Sequence, residues 1–202
     1  MSERQDLIIV DVESTGLDEH THVPIEVAAV NLRTGEALEF VPFVGADYLG
    51  AADGDAMQIN RYYERGVYKR TLPGTDTKIR YDQLFDMLRG NRLGGANPRF
   101  DAAMIRRGYA IAKLFPAGHY SSFELPAETW HHRLTDVCAY AGGVFRMDPA
   151  ETPSLSEVCG FVGVENAEQH SALSDAQATA ECFRRLQAID ITLHDTKEQN
   201  RA

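Results

Sequence analysis

The first sustained apolar run, Leu7-Ile8-Ile9-Val10, leads into Asp11-Val12-Glu13 and then Ser14-Thr15-Gly16. Four branched aliphatic side chains with no polar face between them predict a strand covered on both sides, over residues 7–12. Two more strands are predicted over residues 24–32 and 37–44, joined by Arg33-Thr34-Gly35-Glu36, a hairpin turn sequence. Three strands with short links predict an antiparallel meander whose first and most apolar strand is central. After Gly45 the period lengthens. Residues 53–66 open on an acid and close on a glycine, as a short helix does. Residues 78–89 repeat Ile79, Leu84, Phe85 and Leu88 at roughly helical spacing before Gly90. A short strand over 93–96, a helix over 100–114, a strand over 129–134 and a helix over 136–142 follow. Ser154 and Glu157 make a capping box for a helix at 154–159. Residues 174–189 read as a long helix, N-capped by Ser174, with Ala176, Ala180, Phe183 and Leu186 available for burial. From Thr192 the chain is polar and reads as a tail. The sum is an α/β sandwich around a mixed sheet, one domain over residues 1–202 with its core at about 7–189.

Composition changes this picture little. The chain has 202 residues, 44% hydrophobic and 25% charged, as globular proteins do. No apolar stretch has membrane-spanning length, and the polar start Met1-Ser2-Glu3-Arg4 lacks the features of a signal peptide, so a cytoplasmic protein without membrane contact is expected. Cys138, Cys159 and Cys182 are odd in number and widely spaced, which reads as reduced core residues and not as a disulfide framework. Charge is more informative. The net −10 argues against a general electrostatic grip on nucleic acid, but residues 61–107 hold 11 bases against 5 acids, one basic surface in an acidic chain. Within it, Arg61-Tyr62-Tyr63-Glu64-Arg65-Gly66-Val67-Tyr68-Lys69-Arg70 interleaves bases with aromatics. That pattern suits neutralised phosphates and stacked bases, with Arg61 and Arg65 as the contacts, and suits equally an amphipathic helix with solvated arginines.

Three clusters carry candidate chemistry. Asp11 and Glu13 stand two apart on a strand, so both leave the same face. Like charges that close call for a cation between them, and hard divalent ions take carboxylate oxygens. Asn97-Pro98-Arg99-Phe100-Asp101 opens a helix with a proline early and an acid in the first turn. His170-Ser171-Ala172-Leu173-Ser174-Asp175 does the same for the last helix, with a histidine in the approaching loop. Taken alone, Asp101 and Asp175 also fit acids favoured by a helix dipole, and His170 a core histidine.

Together, Asp-x-Glu-x-Thr-Gly, Asn-x-x-Phe-Asp and His-x-Ala-x-x-Asp, in that order, resemble the DEDD 3′→5′ exonucleases, the DnaQ-like family, in its histidine-bearing branch. Gly16-Leu17-Asp18, Ile25-Glu26-Val27, Arg133-Leu134-Thr135-Asp136-Val137 and Ser154-Leu155 support the resemblance, which runs from about Leu7 to Ile189; Ser14 stands where the family often has threonine. The resemblance implies a ribonuclease-H-like fold with sheet order 3-2-1-4-5, its first three strands antiparallel and helices on both faces. It implies that Asp11, Glu13, Asp101 and Asp175 hold two Mg2+ or Mn2+ ions: Asp11 between both, Glu13 and Asp175 on one, Asp101 on the other. His170 is then the general base. Ser14, Thr15, Gly16 and Leu17 meet the terminal nucleotide, Leu17 as a wedge on the last base and the Thr15 or Gly16 amide on the 3′ hydroxyl. Asn97 and Phe100 shape the pocket. The implied activity is release of nucleoside 5′-monophosphates from the 3′ ends of single-stranded or frayed nucleic acid. DNA in a proofreading or repair setting is favoured over RNA trimming, and a DNA polymerase is a candidate partner. A non-catalytic polymerase subunit is the reading of a different class, against which the complete acid set argues.

Overall fold

The computed structural model describes residues 5–114 and 124–189; the tail from Thr192 lies outside them. Strand β1, Leu7–Ser14, is central in a five-stranded sheet of order β3-β2-β1-β4-β5. β2 (Pro24–Asn31) and β3 (Ala37–Phe40) extend it antiparallel on one side. β4 (Arg92–Gly95) and β5 (Thr135–Asp136) extend it parallel on the other. The sheet order and strand directions are those implied by the motif order.

Between β3 and β4 come α1 (Ala46–Gly50), α2 (Gly54–Ile59), a 3-10 turn at Val67–Arg70 and α3 (Gly74–Leu88). α4 (Pro98–Lys113) follows β4, and α5 (Val137–Val144), α6 (Leu155–Val162) and α7 (Ala172–Ala188) follow β5. Strand alternation sorts these into layers. Ile8, Val10 and Val12 face Tyr81, Leu84, Phe85 and Leu88 of α3 and Met104 and Ile105 of α4. Ile9 faces α5, α6 and α7 through Val137, Val158, Ala176 and Phe183. Ile8, Ile9 and Val10 are wholly buried, each contributing about 1.5–3 kcal/mol of transfer free energy. Asp11 and Glu13 share the parity of Ile9, so they project to the α7 side. Among the described residues no helix is long and apolar enough to cross a membrane.

Several boundaries differ from the sequence reading. The helix expected over 53–66 stops at Ile59, because Asn60 turns its side chain to the Ser14 carbonyl (3.1 Å), Arg61 takes a left-handed φ of 52° and Tyr62 drops into a small core with Ile25, Val41, Met57 and Val67. Tertiary anchoring there outweighs helix propensity. β3 ends at Phe40; Val41 pairs instead with Thr71, and Pro42 lacks the N–H that would continue the ladder. α3 starts earlier than expected, and Ile79 is exposed; Tyr81 is the true member of its apolar stripe. The strand expected over 129–134 is β5, displaced to Thr135–Asp136. Trp130 instead packs on Phe85, and Thr129 and His131 bond to the loop at Gly90 and Asn91. The last helix begins at Ala172 after Ser171, because the Ser174 hydroxyl donates to Asn166 (2.8 Å) and does not cap. The capping box of Ser154 and Glu157 is present.

β4 can lie between β1 and β5 because it ends in Gly94-Gly95. A Cβ on Gly95 would sit 2.7 Å from the Val10 carbonyl oxygen and 3.4 Å from an Asp101 carboxylate oxygen. Gly95→Ala is therefore expected to lower stability by about 1–3 kcal/mol through overpacking. A urea midpoint that falls at constant m reads this out; an unmoved midpoint would mean that β4 yields freely.

Candidate active site

Four elements deliver side chains to the carboxyl end of β1, where open α/β sheets place their ligand crevices. β1 presents Asp11 and Glu13. From one face, α4 brings Asp101 in its first turn, after Pro98 and a left-handed Asn97 (φ 61°). From the other, α7 brings Asp175, also in its first turn, and the loop before it brings His170 (φ 63°). Asp101 and Asp175 are 4% and 8% exposed, too buried for acids that merely decorate helix starts.

Each acid is held. The Asp101 carboxylate accepts the N–H groups of Val12 and of Asp101 itself. Asp175 accepts the His170 N–H on one oxygen (3.0 Å) and the Asn166 amide on the other, and Asn166 in turn accepts the Ser174 hydroxyl. Arg65 donates to the His170 carbonyl (2.7 Å).

The acids also burden one another. Burial, then the charges of Asp101, Glu13, Asp175 and Glu26, hold the Asp11 carboxyl well above the ordinary carboxylate range. Burial raises Asp101 likewise, against the pull of its two backbone donors. Glu13 is pushed up to about 7 by burial, Asp175 and Glu26, with Arg65 pulling the other way. A cluster that clings to protons for want of positive charge is the donor set that divalent cations satisfy. Ligand atoms of Glu13, His170 and Asp175 lie within 4.8 Å of one another, so divalent metal fits the residues present. The His170 imidazole sits at the same spot and is exposed to solvent.

The remaining sequence candidates divide. The Ser14 hydroxyl donates to the Gly16 carbonyl (2.7 Å), and the Thr15 side chain is fully buried, bonded to the Val23 N–H and His22. The Thr15 amide already donates to the Val23 carbonyl, so it cannot also take a 3′ hydroxyl; the Gly16 amide makes only a long 3.4 Å contact with Ser14 Oγ. Leu17 projects into solvent at 83% exposure. Asn97 is exposed beside Asp101, whereas Phe100 packs against the core. Arg61 is exposed and lines an open trough of about 1050 Å³ with Arg65, Arg70 and His170. Arg65 is not the solvated base of an amphipathic helix: its guanidinium turns inward to Glu26. Sequence reasoning missed Glu26 and Asn166 as parts of this site. A single acid inside the otherwise apolar Ile25-Glu26-Val27-Ala28-Ala29-Val30 was the available signal for the first; Asn166 had none.

An acid-lined crevice at the end of the central strand of a 3-2-1-4-5 sheet is the arrangement of the ribonuclease-H-like nucleases. The chain belongs to the RNase T exonuclease family, whose sequence profile matches residues 8–183. Solved structures agree in fold. The zinc-bound form of the Escherichia coli exonuclease I–single-stranded DNA complex superposes with a TM-score of 0.71 at 19% identity, over 96% of this chain and 42% of that one. Escherichia coli exonuclease I with a dT13 oligonucleotide gives 0.71 at 18%, over 96% and 43%. The moderately thermophilic exonuclease I of Methylocaldum szegediense gives 0.67 at 21%, over 98% and 44%. The chain thus spans less than half the length of these proteins. No curated protein sequence matches it.

Proposed function

We propose that this chain removes nucleotides one at a time from the 3′ end of single-stranded DNA, releasing nucleoside 5′-monophosphates. The observation that carries the proposal is the convergence of four acids, three of them holding protons above their ordinary range, on one crevice beside His170. Asp11, Glu13, Asp101 and Asp175 would hold two divalent ions, Mg2+ or Mn2+. When bound, such ions lower the pKa of the attacking water and stabilise the departing 3′ oxygen.

The chain's own residues do the rest. A ring nitrogen of His170 takes the proton of the attacking water, the task of a general base. Exposed Leu17 wedges against the terminal base, and the Gly16 amide meets the 3′ hydroxyl, with Ser14 and Thr15 shaping the turn from behind. Asn97 forms the opposite rim, and Arg61 a phosphate contact in the trough.

Single-stranded DNA is favoured because exonuclease I, whose fold this chain shares, has been solved with single-stranded oligonucleotides. A proofreading or repair role, with a polymerase as tether for a domain of net charge −10, extends the reading. RNA trimming is the second reading, since one or two sugar contacts separate the two substrates.

The test is a parallel assay on single-stranded DNA, duplex with a mismatched 3′ end, and short RNA of the same sequence, in Mg2+ or Mn2+. Faster release of 5′-monophosphates from DNA supports the proposal, and preference for RNA overturns it. In the same assay His170→Ala is expected to lower kcat by roughly 10²–10⁴-fold with KM little changed, the usual weight of general base catalysis.

A further inference from the structure

Glu26 is an acid where none is expected. It sits on β2 at 1% exposure, directly opposite Glu13 in the β1–β2 register, so both carboxyls leave the same face of the sheet. A carboxylate so buried requires a paired cation. Two arginines supply it: Arg65 through Nη1–Oε2 at 2.7 Å and Nη2–Oε1 at 3.0 Å, and Arg70 through Nη2–Oε1 at 2.5 Å. Arg70 also bonds Glu39 at 2.6 Å.

Arg65 does more than neutralise. Its Nη1 also donates to the Asn60 carbonyl (3.0 Å) and to the His170 carbonyl (2.7 Å), across 105 residues of sequence. One guanidinium therefore joins β2, the chain leaving α2 and the loop that carries His170. That loop needs holding. His170 has a φ of 63°, and a residue with a Cβ is strained in the left-handed region. Side chains grip both of its backbone polar groups: Asp175 takes the N–H and Arg65 the C=O. With both peptide planes held, the Cα–Cβ bond of His170 is aimed at the crevice, where its ring lies near Glu13 and Asp175.

We propose that Arg65 is a positioning residue that sets His170 over the crevice, and not a phosphate contact. Only Arg suits the position. A planar fork reaches the carboxylate and the two carbonyls at once, which a lysine ammonium on a flexible stem does less well. This inference rests on the role given to His170 above.

The experiment uses the full chain with Mn2+ and a saturating single-stranded oligonucleotide. Arg65→Met alone would leave Glu26 underpaired and the fold at risk, so Arg65→Met is read against a Glu26→Gln background, in which no buried acid is stranded. The added substitution is expected to lower kcat roughly 10- to 100-fold, as misplacement of a reacting group does, with KM and its salt dependence unchanged. Arg65→Lys in the wild-type background should recover part of the loss. In a Glu26→Gln, His170→Ala background, Arg65→Met should change kcat less than about twofold, because the group it positions is gone.

A loss that appears in KM with a flatter salt slope would make Arg65 a phosphate contact and overturn the proposal. A loss of full size in the His170→Ala background would do the same, since the residue would then act on the fold at large. If His170→Ala alone keeps full kcat, the base assignment itself falls and this inference with it, an outcome distinct from both.

Discussion

Asp101→Asn, and separately Asp11→Asn, are expected to lower hydrolysis of a 3′-labelled oligonucleotide by at least about 10³-fold while making the metal-free protein more stable. The first effect follows from removing one of four charges that would hold the two ions; losing several kcal/mol of charge stabilisation in the transition state costs three or more decades in rate. The second follows from the same repulsion that pushes these acids up. Asp101 is nearly wholly buried and raised by burial and by Glu13, and its charge is the strongest of those that raise Asp11. Asparagine keeps an oxygen for the Val12 N–H and removes the charge. A gain of about 1–2 kcal/mol at pH 8 in EDTA is expected, the stability cost of a functional site relieved. Thermal melts with and without EDTA, beside the activity assay, decide it. Near-normal activity in both variants would remove these acids from the chemistry, and a lower metal-free melting temperature would contradict the repulsion.

Metal-free stability should also fall as pH rises from about 5 to 8. Glu13 is pushed up from an ordinary value near 4.5 to about 7, so between those values the folded chain binds more protons than the unfolded chain. Stability then declines with rising pH across that window, by on the order of 3 kcal/mol from Glu13 alone, with Asp11 and Asp101 acting in the same direction. The lowered acids Asp18, Asp82, Glu157 and Glu181 work the opposite way, and only at lower pH: what they contribute is lost as pH falls below the ordinary carboxylate range. Mn2+ or Mg2+ should reverse the decline by displacing the protons. The metal-induced rise in melting temperature is expected to be larger at pH 8 than at pH 5.5, and titration calorimetry in buffers of different ionisation enthalpy should detect proton release. Equal rises at both pH values would mean that the acids carry no excess protons.

Much of this was legible in the residues. The apolar run of β1 and the capping box of α6 act locally, so local pattern reports them. Motif order carried the family and, through it, the sheet order. What the sequence concealed depends on distant partners. Residues 60–66 have good helical periodicity, yet the chain breaks there because Tyr62 finds a core and Asn60 finds the Ser14 carbonyl. Arg65 reads as a surface base until Glu26, 39 residues away, claims it. β5 slid past its expected position because Trp130, polar-flanked in sequence, had a pocket against Phe85. The Thr15 amide was an open donor on paper and is taken by Val23 in the fold.

The four acids come from three separate pieces of chain, and the two helices among them lie against opposite sides of the sheet. No single fragment holds the proposed cation-binding set. The crevice is therefore complete only when both outer layers are docked on the strands. A chain trapped with its secondary structure formed but its layers loose would look helical by circular dichroism and have no grip on Mn2+. Cation affinity thus reports tertiary closure of this fold more directly than any spectroscopic measure of its elements.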